Sequence, residues 1–113
     1  MKAATWLGLN PGHLLIETTG RVTGKRRRTV VGCHRDADSL WVVAEQGRHA
    51  GYVRNLEADP QVRVRLGGRW RQATAQVVDD DDPVARLQQF SAAHGRIVQR
   101  VGTALLSLRI DLQ

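Results

Sequence analysis

The run over residues 61–78, QVRVRLGGRWRQATAQVV, constrains this chain more than any other feature. Val62, Val64 and Leu66 alternate with Gln61, Arg63 and Arg65, which is the period of a strand with one face toward a core. Gly67-Gly68 is a two-residue hairpin turn, where twisted strands need backbone at positive φ and glycine supplies it. A return strand over 69–78 follows. Two strands joined this tightly must be antiparallel, and a lone hairpin is marginal in water, so further strands have to complete a sheet.

Those strands are readable. Residues 13–19 (HLLIETT) combine a short apolar stretch with paired β-branched threonines, and Gly20 punctuates them. Residues 20–28 (GRVTGKRRR) read as a loop. Strands are expected over 29–35 and 40–45, joined by the turn residues Asp36-Ala37-Asp38-Ser39 as a hairpin. Over 49–58 the spacing of Tyr52, Val53 and Leu56 predicts a short helix, closed by Asp59-Pro60. Pro83 suits the first turn of a second helix. Its apolar positions are Val84, Leu87, Phe90, His94, Ile97, Val98 and Val101, and Gly95 interrupts it. Leu106, Leu108, Ile110 and Leu112 alternate as a last strand. The expected fold is mainly β (α+β): one domain over 1–113, a small barrel of about six antiparallel strands with two flanking helices. Hairpins dominate and no βαβ rhythm appears, which disfavours a parallel sheet.

Composition narrows the class of protein. With 42% hydrophobic and 25% charged residues, the 113-residue chain has the makeup of a folded domain. One cysteine excludes an internal disulfide, and Cys33 reads as a small core residue. His13, His34, His49 and His94 show no ligand spacing, so no metal site is expected. No apolar run approaches the ~18 residues of a membrane-spanning helix, and no signal peptide is apparent. A soluble, cytoplasmic protein without a membrane partner is the expectation. The net charge of +6 asks for an anionic partner.

Two basic segments compete for that role. The glycines of 20–28 allow the backbone to turn and present N–H groups, Thr23 adds a hydroxyl, and five cations add charge. Together these suit a phosphate or a string of carboxylates. The G-K-[ST] ending of a Walker loop is absent, and the alternative reading is a solvated basic hairpin loop. Arg63, Arg65, Arg69 and Arg71 are expected to share one face of the second hairpin, either as a nucleic-acid groove or as a solvated face that discourages edge pairing. Three Trp, one Tyr and one Phe are few stacking partners for bases, which favours the solvated face and disfavours nucleic acid. The acidic run at 79–82 reads as a helix start favoured by the macrodipole rather than a metal site.

The segment Thr18-Thr19-Gly20-Arg21-Val22-Thr23-Gly24-Lys25-Arg26-Arg27 resembles the T-T-G-R-x-[ST]-G-x-x-R signature of the deazaflavin-dependent nitroreductase family, whose members use coenzyme F420. Val42 to Arg48 resembles the strand and turn that meet the deazaflavin ring. Tyr52-Val53-Arg54-Asn55-Leu56, with Asp59-Pro60 and Val62, resembles the family's W-x-x-N-L…N-P-x-V pattern, and Asp80 to Leu87 resembles a run of its shorter members. These matches span roughly Leu14 to Leu112 in order.

The resemblance implies a split β-barrel and hydride transfer from reduced F420 to a small electron-poor acceptor such as an enone, quinone or nitro compound. The alternative is a protein that binds F420, or FMN as the less favoured cofactor, without efficient turnover. By resemblance, Arg21, Thr23, Gly24, Lys25 and Arg27 hold the phosphate and glutamyl tail. Thr29, Val30 and Val31, with Val43, Ala44, Glu45, Gln46 and Gly47, line the ring, and Tyr52 stands where the family has tryptophan. Asn55 fixes the helix or its neighbouring loop. Glu45 and Gln46 replace the family's usual Ser-Lys, and the segment before Tyr52 is short, so no catalytic acid is assigned. Tyr52 and His49 are the candidates for donating a proton. A homodimer is a candidate assembly, since a second subunit could cover the ring.

Overall fold

The computed structural model describes residues 12–90 and 104–113. Seven strands form one antiparallel sheet: β1 (His13–Thr19), β2 (Arg26–Gly32), β3 (His34–Asp36), β4 (Ser39–Ala44), β5 (Gln61–Leu66), β6 (Arg69–Val77) and β7 (Leu106–Leu112). Helix α1 (Gly51–Ala58) lies between β4 and β5, and α2 (Pro83–Leu87) follows β6. The lateral order is β2-β1-β5-β6-β7-β4-β3. The hairpin of β5 and β6 turns at Gly67 and Gly68, with φ of 60° and 83°.

Sheet order explains why seven strands replace the expected six. The stretch 29–35 does not run as one strand. It breaks at Cys33 into β2, which pairs with β1, and β3, which pairs with β4. β2 and β3 sit at opposite ends of the sheet yet are joined through a single residue. The sheet must therefore curl until its two ends meet, and this makes a split barrel. β2 also begins three residues earlier than expected, because Thr19 pairs with Arg26 and Thr18 with Arg27, drawing part of the basic loop into the sheet.

The core fills the curl. Leu14, Ile16, Leu40, Val42, Val64, Leu108 and Ile110 are almost fully buried, and α1 closes one end with Val53 and Leu56. Burial of each of those two side chains contributes roughly 1.5–3 kcal/mol. The helix expected over 49–58 starts at Gly51, because Ala50 is extended and a short 3-10 turn, Gly47–His49, precedes it. Asp82 caps α2 by accepting hydrogen bonds from the N–H groups of Val84 and Ala85, and Pro83 occupies the first turn. Beyond Leu87 the chain tightens into turns that bond Gln88, Gln89 and Phe90 three residues back. The expected helix positions His94, Gly95, Ile97, Val98 and Val101 lie outside the described residues. Leu87 and Phe90 form a second small cluster with Val43.

The four hairpin arginines do not share a face. A two-residue turn pairs odd with even positions, so Arg63 opposes Gln72 and Arg65 opposes Trp70, whereas Arg71 opposes Val64 and Arg69 opposes Leu66. Arg63 and Arg65 point to the outer face. Nor is that face simply solvated. Glu17, directly across from Arg28 on one side and Arg63 on the other, is 4% exposed there. It accepts hydrogen bonds from Arg26, Arg28 and Arg63 at 2.8–3.1 Å. The guanidinium carbons of Arg28, Arg63 and Arg65 stand 4.9, 4.8 and 5.9 Å from the ring centre of Trp70. These bonds, the one from Arg63 foremost, hold the Glu17 carboxyl down to about 2 against the opposing effect of burial.

Candidate functional site

The split places the site. The β3–β4 ladder ends at His34 opposite Trp41, and β4 runs on toward Ala44 without pairing to β2. Where the strands part, a cavity of about 400 Å³ opens. Thr29, Val30, Val31 and Gly32 line it from β2, with Val43, Glu45 and Gln46 opposite, and His13, Ala50 and Tyr52 close it. β2 has a strand neighbour on one side only, so its outer backbone edge is turned to this cavity with no strand beside it. The wall at 45–47 is held by the hydrogen bond from the Ala104 N–H to the Glu45 carbonyl. Gly47, at φ 54°, is required there because a Cβ would run into the Ala104 carbonyl oxygen. Arg48 ties the same turn to Glu57 and Asp79 by ion pairs of 3.0 Å.

A second cavity, of about 300 Å³, adjoins the first and shares Thr29 and Tyr52 with it. It is lined by the turn of residues 20–23, by Arg27, and by Gly51 and Asn55 of α1. The turn is locally determined. Gly20 N–H donates to the Lys25 carbonyl at 2.7 Å, Gly24 N–H to the Gly20 carbonyl at 2.8 Å, and Lys25 N–H to the Thr23 hydroxyl at 3.2 Å. Gly24 takes φ 72°, and a Cβ on Gly20 would stand 2.9 Å from the Lys25 carbonyl oxygen. Asn55 anchors the turn to α1. Its side-chain oxygen accepts from the backbone and guanidinium of Arg21 at 3.2 and 2.9 Å, and its amide donates to the buried Thr18 hydroxyl at 3.3 Å.

The expected site residues divide accordingly. Thr29, Val30, Val31, Val43, Glu45, Gln46 and Tyr52 meet in the first cavity, and Arg21, Thr23 and Arg27 meet with Tyr52 in the second. Gly24 and Lys25 shape the turn without lining either cavity. Ala44 is in the core, and Gly47 lies buried behind the wall. His49 is exposed on the 3-10 turn and is not brought to either cavity. Strand alternation also parts the three arginines that end the basic run of 20–28: Arg27, opposite Thr18, lines the second cavity, whereas Arg26 and Arg28 turn to Glu17 on the outer face. His13 is an addition that spacing does not signal, since only the pairing of His13 with Gly32 brings it to the cavity.

Electrostatically the two cavities differ. Arg21 and Arg27 bring positive charge to the second, and neither forms an ion pair with a carboxylate among the described residues. At the junction, burial and, secondarily, the negative charge of Glu45 push the Tyr52 phenol up to about 12, so it stays a protonated hydrogen-bond donor at neutral pH. Burial likewise pushes the Cys33 thiol up to about 11, which keeps it an inert core thiol. Among the described residues no group of three His, Cys, Asp or Glu is placed to hold a metal ion, and no helix is long and apolar enough to cross a membrane.

The described residues thus form a split barrel with two adjoining cavities of different charge, one lined by Arg21 and Arg27 and the other by the single carboxylate of Glu45. Comparison with known proteins makes the class of split barrel specific. Residues 2–104 match the model of the F420H(2)-dependent quinone reductase family, and the chain belongs to that family. The family is one of oxidoreductases with F420 as cofactor, in agreement with the signature at Thr18–Arg27. An F420H(2)-dependent quinone reductase of Mycobacterium tuberculosis is 39% identical over 84 residues, which cover 71% of this chain and 56% of the relative. The chain thus spans about half the length of the curated relatives it matches. The fold is shared with solved structures. The heme storage protein HutZ of Vibrio cholerae has a TM-score of 0.71 at 16% identity, covering 99% of this chain and 89% of its own. An F420-H2 dependent reductase has a TM-score of 0.68 at 21% identity, covering 93% of this chain and 96% of its own.

Proposed function

We propose that this chain binds F420 across the joined cavities and serves as an F420H2-dependent reductase of a small electron-poor acceptor, with quinones foremost and enones and nitro compounds as further acceptors. The observation that carries the reading is the continuity of the cleft through Thr29 and Tyr52, with its charge at one end. The donor chemistry fits the cofactor. Arg21 and Arg27 offer guanidinium forks to a phosphate, and the Thr23 hydroxyl can donate, since its oxygen already accepts from Lys25. Lys25, exposed on the same turn, suits the glutamyl tail. The open edge of β2 offers the backbone donors and acceptors of alternate residues along Thr29 to Val31 to a flat heterocycle, against Val43, Glu45 and Gln46.

When bound, F420H2 supplies a hydride. The chain's own residues bind, orient and shield. Asn55 holds Arg21 in place, Gly47 and Arg48 hold the opposing wall, and Tyr52 donates a hydrogen bond at the junction without ionising. Equilibrium titration with F420 and FMN tests the reading. Micromolar F420 affinity with weaker FMN is expected, and an F420 affinity no better than millimolar overturns it. Steady-state oxidation of F420H2 by a quinone and enone panel then separates an enzyme from a binder: tight binding without turnover leaves a binding protein.

A further inference from the structure

Glu45 stands out in the first cavity. It is the one Asp, Glu, Lys or Arg among the described residues that line it, in a chain of net charge +6. Its carboxylate forms no ion pair among the described residues, and its side chain is exposed at the cavity wall. Its backbone is fixed independently, through the bond from Ala104 to its carbonyl. The second cavity has the reverse character, with Arg21 and Arg27 and no carboxylate. We infer that Glu45 is the specificity-determining residue of the first cavity, admitting uncharged or cationic acceptors and rejecting anionic ones. The inference deepens the proposed function and rests on it for the identity of the acceptor.

The physical ground is direct. An anionic group brought within several ångströms of this exposed carboxylate is disfavoured by roughly tenfold in affinity. The arginines cannot cancel this, because they face the adjoining cavity and would engage the anionic end of the cofactor. Substitution at Glu45 leaves the backbone bond that holds the wall in place, so the charge can be changed alone.

The test compares two probes of similar size, menadione (uncharged) and a naphthoquinone sulfonate (anionic), by equilibrium titration. Both are titrated against the chain alone and against the chain with oxidised F420, a complex that cannot turn over. With F420 bound, so that Arg21 and Arg27 are engaged, the wild type is expected to bind menadione about tenfold more tightly than the sulfonate. Glu45→Gln should bring that ratio below about threefold, Glu45→Lys should invert it, and Glu45→Asp should preserve it. An equal ratio in the wild type and Glu45→Gln overturns the inference, as does a wild-type ratio near one in the F420 complex. Failure of F420 to bind overturns the functional reading instead, while in the chain alone the change in ratio from wild type to Glu45→Gln, with Arg21 and Arg27 common to both, still decides the role of Glu45.

Discussion

Two arginine clusters lie on either side of β1, and they differ in what answers the charge. On the outer face Arg26, Arg28 and Arg63 converge on the Glu17 carboxylate. At the second cavity Arg21 is held by Asn55, a neutral amide, and Arg27 stands beside it. A carboxylate orients a guanidinium and cancels it; an amide orients it and leaves the charge for a ligand. The first cluster is therefore structural and the second is suited to binding, although consecutive residues of one basic run feed both.

The largest expected effect concerns Glu17. Its pKa is depressed in the folded state, so its stabilisation is present above the unfolded value of 4.5 and is lost as pH falls from there toward about 2. The shift is worth on the order of 3 kcal/mol, since the side chain is 3% exposed. Denaturant melts of Glu17→Gln at neutral pH should show a loss of about that size and a weaker acid dependence across the window, with F420 affinity retained. A loss below ~0.5 kcal/mol would make the outer cluster idle, as exposed pairs often are.

Next comes Arg27→Ala, expected to weaken F420 binding on the order of thirtyfold by removing a charge-assisted contact. Arg28→Ala, one residue along and on the other face, should change it by less than about twofold. Equal effects from the two variants, measured by titration, would erase the distinction between the clusters. Asn55→Asp sharpens it further. A carboxylate on Arg21 should turn the binding cluster into a structural one, lowering F420 affinity about fivefold while the melting temperature holds or rises. Asn55→Ala should produce a similar loss of affinity together with a lower melting temperature, because Arg21 and Thr18 both lose their partner. Smallest is the loss in Arg48→Ala: its pairs with Glu57 and Asp79 are exposed, so it should loosen the wall at 45–47 only slightly, read as a small, salt-sensitive fall in stability.

What was legible in the sequence was local. The Gly67-Gly68 turn, the alternation of β5 and β7, the apolar and β-branched run of β1, the Asp82 cap with Pro83, and the helix ending at Asp59-Pro60 are each encoded within a few residues. The turn over residues 20–25 was legible for the same reason, its bonds running among Gly20, Thr23, Gly24 and Lys25. The break at Cys33 was not, because nothing local distinguishes a strand that continues from one that changes partners. The shared face assigned to Arg63, Arg65, Arg69 and Arg71 failed on register, where a two-residue turn reverses the parity.

By itself the sequence determined that this chain forms an antiparallel sheet, where it turns, and which family's cofactor signature it carries. Tertiary structure alone decided which cations remain available. Alternation sends Arg26 and Arg28 one way and Arg27 the other, but only the pairing of β1 with β2 and β5 puts Glu17 under the first set, and only the docking of α1 puts Asn55 under the second. Charge is a property of residues, whereas its availability depends on the partner that the fold sets beside each one.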